Sequence, residues 1–267
     1  MIRFVRPLLI IAGIIAMFYG IAVAGLYGEQ RSMLFAGAGN RCPSQVPDGY
    51  RAIRIKTADG EQISGLYRPA AVGRGTILFF HGNADSALTG VALFAPMTAA
   101  GDGALLVEYL GYCGNMGSPD EQGLYRDGEA ALKWLGEAGV GRKQLIVAGY
   151  SLGTGVATKV AAEHQPAGVI LVAAYTSIAD VAGDHFGWAP TQLLTRDRFA
   201  SIDRIGHIHA PILLVHGEYD TLVSVAQARR LVKGAERATL EVIPGEGHMV
   251  GFSPDVPPII ARWAAKL

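Results

Sequence analysis

The sequence predicts an α/β fold: a mainly parallel sheet with helices on both faces, a short helical cap and an apolar helix at the N-terminus. Three observations predict it. Continuous apolar runs of about six residues alternate with amphipathic stretches from residue 75 to the end, the pattern of strands covered on both faces and joined by crossover helices. A period-two pair of runs precedes them, as in a hairpin. One long segment, 175–209, interrupts the alternation and is too long for a plain loop. Composition agrees with a globular, turn-rich chain: 267 residues, 50% hydrophobic, 35 Gly. Lys+Arg and Asp+Glu both number 23, so no basic face points to nucleic acid. Neither an internal repeat nor a low-complexity segment is present.

Taken in order, residues 8–27 carry no charge and follow Arg3 and Arg6. Twenty residues at ~1.5 Å each give roughly 30 Å of helix, the thickness of a bilayer core. The run has no polar face, which argues against a buried core helix. Two readings of residues 1–27 fit: an uncleaved signal anchor, favoured by the length of the run, and a signal peptide with Ala22-Val23-Ala24 as its small-x-small site. Either directs the rest of the chain out of the cytoplasm, because a short basic tip stays inside. Residues 28–50, with Gly37, Gly39, Pro43, Pro47 and Gly49, read as a linker wrapping onto the domain. Cys42 and Cys113 are then either an oxidised pair or two separate buried thiols.

The domain proper is predicted over 51–267. Residues 52–57 and 62–68 form a hairpin around Asp59-Gly60. Strands follow at 75–80, 103–109, 144–148, 168–173, 211–215 and 238–243. Helices are predicted at 87–100, with Pro96 as a kink, and at 121–138, where Leu124, Ala131, Leu132 and Leu135 share a face. Further helices span 154–164, 224–233 and 255–267. Segment 175–209 carries Phe186, Trp188, Leu193, Leu194 and Phe199. It reads as a cap over the strand ends, where open α/β sheets bind ligands.

Gly149-Tyr150-Ser151-Leu152-Gly153 joins a strand run to a helix run. A serine hydroxyl is a weak nucleophile unless it is aimed, deprotonated on demand and set beside donors for an oxyanion. A sharp strand–turn–helix aims it. An acid and a base are expected further on, in the order Ser, Asp, His. Asp220 follows the strand at 211–215, and His248 follows the strand at 238–243. Both therefore emerge on the sheet edge that carries Ser151. Glu218 is an alternative acid two residues away, and His216 lies too close to Asp220 to face Ser151 independently. The oxyanion donors are expected to be the backbone N–H of Leu152, at the start of its helix, and of Asn83, after Gly82 in the loop following 75–80. His81 is read as a prop for that loop. No cofactor or metal is called for.

At these residues the chain resembles the BEM46-like (ABHD13/ABHD17-like) group of α/β-hydrolases, within the broad serine hydrolase clan that also holds S33 peptidases. The resemblance rests on Phe80-His81-Gly82-Asn83-Ala84, Tyr109-Leu110-Gly111-Tyr112, Gly117-Ser118-Pro119, Gly149-Tyr150-Ser151-Leu152-Gly153, Tyr175-Thr176-Ser177, Arg196-Asp197-Arg198-Phe199, His216-Gly217-Glu218-Tyr219-Asp220 and Gly245-Glu246-Gly247-His248. It covers residues 51–267. It implies Ser151, Asp220 and His248 as a catalytic triad, with Asn83 and Leu152 at the oxyanion. The group usually has Tyr-Arg-Gly-Tyr-Gly; here Leu110 takes the arginine's position and Cys113 that of the last glycine. The expected activity is hydrolysis of esters or thioesters of lipophilic acyl substrates, with the membrane as partner through the N-terminal helix. A serine peptidase or amidase of the same clan, and a non-catalytic scaffold on the same fold, are the other readings. The scaffold reading goes with a missing triad member, and none is missing.

Overall fold

The computed structural model describes residues 2–42 and 45–267. One long helix, Ile2–Leu34 (α1), leads the chain. The hairpin Arg51–Lys56 (β1) and Gln62–Arg68 (β2) comes next, then Thr76–Phe80 (β3), Leu88–Leu93 (α2), Ala95–Ala99 (α3) and Gly103–Val107 (β4). Glu121–Glu137 (α4), Leu145–Tyr150 (β5), Leu152–His164 (α5) and Gly168–Val172 (β6) complete the first crossovers. The cap carries Ile178–His185 (α6) and Thr191–Leu194 (α7). The chain closes with Ile212–Gly217 (β7), Val225–Gly234 (α8), Ala238–Ile243 (β8) and Val256–Ala264 (α9).

The eight strands form one sheet in the order β1-β2-β4-β3-β5-β6-β7-β8. Pairs β1·β2 and β2·β4 are antiparallel, and every later pair is parallel. Every residue of β3, β4, β5, β6 and β7 is buried, in keeping with their mainly apolar composition. Alternate side chains serve opposite faces. Leu78 and Phe80 pack with Leu124 of α4 and Val156 and Val160 of α5, while Ile77 and Phe79 pack with Leu93, Met97 and Ile260 from α2, α3 and α9. The chain steps from β3 to β4 on one side and to β5 on the other. The crevice at the carboxyl ends of β3 and β5 is therefore the topological switch point, where ligands of such sheets sit.

Local chemistry sets the helix ends. Asp120 caps α4 by accepting from Gly123 N, Ser177 caps α6 by accepting from Asp180 N, and Ser224 caps α8 by accepting from Ala226 N. The single helix expected over 87–100 is two, broken at Phe94, because Pro96 cannot donate to the preceding turn.

Residues 28–34, assigned by composition to a linker, continue α1 instead. Glu29, Gln30 and Arg31 favour helix. The turn is also fixed from outside: Arg31 Nε donates to Asp197 Oδ2 at 2.7 Å, and Arg196 N donates to Gln30 Oε1 at 2.8 Å. Gln30 Nε2 in turn reaches Leu194 O at 3.4 Å. The wrapping segment therefore begins after Leu34. Cys42 and Cys113 form a disulfide across a separation of 71 residues, and Gly39 N donates to Gly111 O at 2.8 Å. Cys113 sits at φ 50°, the left-handed conformation that a glycine adopts freely.

Candidate active site

Ser151 lies between β5 and α5 with φ 48° and ψ −116°, a conformation rarely held by a residue with a side chain. The surrounding packing enforces it. A Cβ on Gly149 would come within 2.4 Å of Gly153 O, and one on Gly153 within 2.0 Å of Phe80 O. Both glycines are therefore required by the closeness of β5, α5 and β3. Ser151 is the N-cap of α5, yet its side chain makes no capping bond. The turn points it away from the helix, and Oγ lies 2.9 Å from Nε2 of His248.

His248 follows β8 through the turn Pro244-Gly245-Glu246-Gly247. Its Nδ1 is 2.8 Å from Asp220 Oδ2, which assigns the proton to Nδ1 and leaves Nε2 to accept from Ser151. Asp220 follows β7, and its Oδ1 accepts from the backbone N–H of Leu222 at 2.9 Å and of Val223 at 2.8 Å. Burial works against its charge, but hydrogen bonds from His216, His248 and Val223 N–H outweigh it and hold the carboxyl well below the usual carboxylate range. Asp220 is thus a fixed anion behind the imidazole. Glu218 is exposed and accepts from Gly245 N at 3.2 Å, away from the imidazole.

Leu152 is the first residue of α5, so its N–H lies outside the helix's own hydrogen-bond ladder. The loop after β3 approaches from the other side: a Cβ on Gly82 would lie 3.5 Å from Cβ of Ser151. Asn83 follows it, and its side-chain Nδ2 donates to Met33 O at 3.1 Å, tying this loop to the end of α1. His81 is fully buried and holds the loop, with Nδ1 2.7 Å from Gly82 O, while Tyr109 OH donates to His81 O at 2.9 Å. Asn83, Ser151, Leu152 and His248 all border one mainly apolar cavity of about 800 Å³. A volume of that order suits a drug- or lipid-sized ligand.

Two residues around the site escape sequence reasoning. Tyr150 donates its OH to His248 O at 3.0 Å and packs its ring against the imidazole, with centroids 6.2 Å apart. It occupies a variable position of the serine motif, so the motif itself carries no signal for it. His216, fully buried, lies behind the acid: Nε2 is 2.8 Å from Val223 O and 3.3 Å from Asp220 Oδ2. Its place four residues before the acid was legible. Its contact with the rear of the carboxylate was not, because that depends on how the loop after β7 folds back.

The sheet order, the glycine-enforced serine turn and the loops gathered at the strand ends define an α/β-hydrolase fold. The Pyrococcus furiosus esterase Pf2001 has the same fold, with a TM-score of 0.68 at 18% identity, covering 86% of this chain and 96% of that one. The chain belongs to the family of the uncharacterized protein Rv2307c of Mycobacterium tuberculosis, to which it is 34% identical over 245 residues, 89% of this chain and 87% of that protein. The lysophosphatidylserine lipase ABHD12 of Danio rerio is 30% identical over 199 residues, which is 67% of this chain and 50% of the lipase. No family model matches the chain.

Proposed function

We propose that the protein is a serine hydrolase of lipophilic acyl esters or thioesters, acting through an acyl-enzyme, within the BEM46-like group of the fold. The observation that carries the reading is the continuous relay Ser151 Oγ–His248 Nε2 at 2.9 Å and His248 Nδ1–Asp220 Oδ2 at 2.8 Å. In this reading Ser151 Oγ attacks the acyl carbon as its proton passes to His248 Nε2. The oxyanion accepts from the N–H groups of Leu152 and Asn83. His248 then returns the proton to the leaving alkoxide or thiolate, and the acyl–Oγ ester remains. Water attacks that ester, giving a proton to Nε2, and the carboxylic acid leaves as Oγ is reprotonated. Asp220 stays ionised throughout, holds the tautomer and stabilises the imidazolium.

The apolar cavity beside Ser151 supports lipophilic acyl groups, and the relatives named lipase and esterase point the same way. Residues 1–27 act as a membrane anchor, and the domain 51–267, with its cap at 175–209, lies outside the cytoplasm. The disulfide supports that compartment, since cytosolic thiols are kept reduced.

The test is a fluorophosphonate probe on the full chain, followed by an ester panel from acetyl to palmitoyl beside a thioester and an aminoacyl arylamide. Labelling and hydrolysis are expected in the wild type, with kcat lower by at least ~10³-fold in Ser151→Ala. Wild-type activity surviving in Ser151→Ala would sink the assignment. Preference for the arylamide would turn it to a peptidase.

A further inference from the structure

We propose that α1 is one wall of the acyl-binding site, and that the substrate is a long-chain acyl ester taken directly from the bilayer along this helix. The proposal rests on Ser151 being the nucleophile and adds where the acyl chain lies and how it arrives. Val23, Leu26, Tyr27, Gln30, Met33 and Leu34 all line the cavity that reaches Ser151 and His248. Their spacing of three and four residues is that of one helix face. The facing wall is supplied by the cap through Val181, Phe186 and Leu194.

The same helix places the cavity at membrane level. Residues 8–21 of α1 show their large apolar side chains to the outside, from Ile14 at 46% to Leu9 at 66% exposed. An apolar surface of that length belongs in hydrocarbon. Val23 lies four residues before the uncharged run ends at Tyr27, so the cavity extends roughly 6 Å past that end toward the bilayer interior. The cap is held there too. Tyr19 OH donates to Trp188 O at 3.2 Å, and the two rings meet edge to face with centroids 6.1 Å apart. Trp188 and Leu193 remain 51% and 85% exposed, as residues resting on a membrane surface do. Arg31 and Gln30 fasten α1 to the cap at the other end of the cavity. A chain sliding in beside Val23 and Leu26 meets a mainly apolar lining on its way to Ser151.

The experiment uses the full chain in phosphatidylcholine vesicles and the ratio of kcat/KM for a palmitoyl ester to that for an acetyl ester. Leu26→Trp, which fills the cavity, is expected to lower that ratio by about tenfold or more. Ile11→Trp, on the outward part of the same helix, should leave the ratio as it is. An unchanged ratio in Leu26→Trp overturns the proposal. A palmitoyl chain carrying a terminal diazirine, photolysed on the wild type, tests it without any variant. Adducts are expected within residues 23–34, and adducts confined to other segments overturn it. Saturable binding of a palmitoyl ether lysolipid to Ser151→Ala separates the two claims. Binding to Ser151→Ala that a further Leu26→Trp change weakens, beside a wild type that hydrolyses no ester, sinks the catalytic reading and keeps the acyl wall, while absent binding sinks the wall.

Discussion

Ser151 shows how a single residue can be held in a costly conformation by neighbours that have no alternative. Its φ of 48° persists because Gly149 and Gly153 let three backbones meet where no Cβ fits. Gly153→Ala is therefore expected to lower stability by about 1–3 kcal/mol or more, since the clash is with backbone. It should also abolish fluorophosphonate labelling; a melting curve and a labelling gel check both, and a labelled variant melting like the wild type would refute the packing argument. Two buried carboxyls titrate in opposite senses. Burial pushes Asp127 up to about 7, against the hydrogen bond it accepts from Leu110 N. A raised acid disfavours its charged form in the folded state. The resulting penalty is absent below the unfolded value of 3.8 and grows as pH rises toward 7. Asp127→Asn should match the wild type near pH 4 and exceed it by about 1–3 kcal/mol at pH 8 in urea unfolding. Asp220 is held low, so its contribution is complete above 3.8 and disappears as pH falls through its folded value. Asp220→Asn should therefore be least stable relative to the wild type near neutrality, and the deficit should shrink toward pH 2.

Elements were legible wherever burial alone dictates the residue type. The strands β3 to β7 are buried along their whole length and almost wholly apolar because both faces are covered, and that signal needs no partner to be read. Ser151, Asp220 and His248 were legible for a related reason: each follows a strand, and strand ends of a parallel sheet share one edge. What stayed hidden depends on contacts between distant segments. The last turns of α1 looked like linker because their partners, Asp197 and Leu194, lie more than 160 residues away. Whether Cys42 and Cys113 pair was likewise left open, since nothing local to either thiol shows that the other lies beside it. That bond ties the wrapping segment to the loop after β4, beside the Asn83 loop. A Cβ on Gly37 would lie 2.5 Å from Asn83 O, so the segment packs directly against that loop. Replacing both cysteines by serine should cost about 2–4 kcal/mol. In the proposed mechanism it should also lower kcat by loosening the Asn83 donor; equal melting temperatures with and without reductant would show that the bond constrains nothing.

At the scale of the whole molecule, the cap of the α/β-hydrolase domain packs against α1. At ~1.5 Å per residue the 33 residues of α1 extend roughly 50 Å, well beyond the ~30 Å of a bilayer core. The excess matches the segment that lines the cavity and binds the cap, so in the proposed reading anchoring and substrate capture use consecutive stretches of one helix. With α1 as the proposed anchor the cap would lie against a membrane, on a face that the geometry leaves open. Two properties favour the outer face in the proposed reading. Arg3 and Arg6 stand at the free end of the helix, and positive charge there is retained on the cytoplasmic side. A disulfide at the other end persists most readily in an oxidising compartment. In spheroplasts of a bacterium expressing the full chain, added protease is therefore expected to destroy the domain without detergent. The same cells, alkylated before lysis, should show Cys42 and Cys113 blocked only after reduction. A domain that resists protease until detergent is added, with both thiols alkylated at once, would put the cap on the cytoplasmic leaflet and require the orienting charge to act against the usual rule.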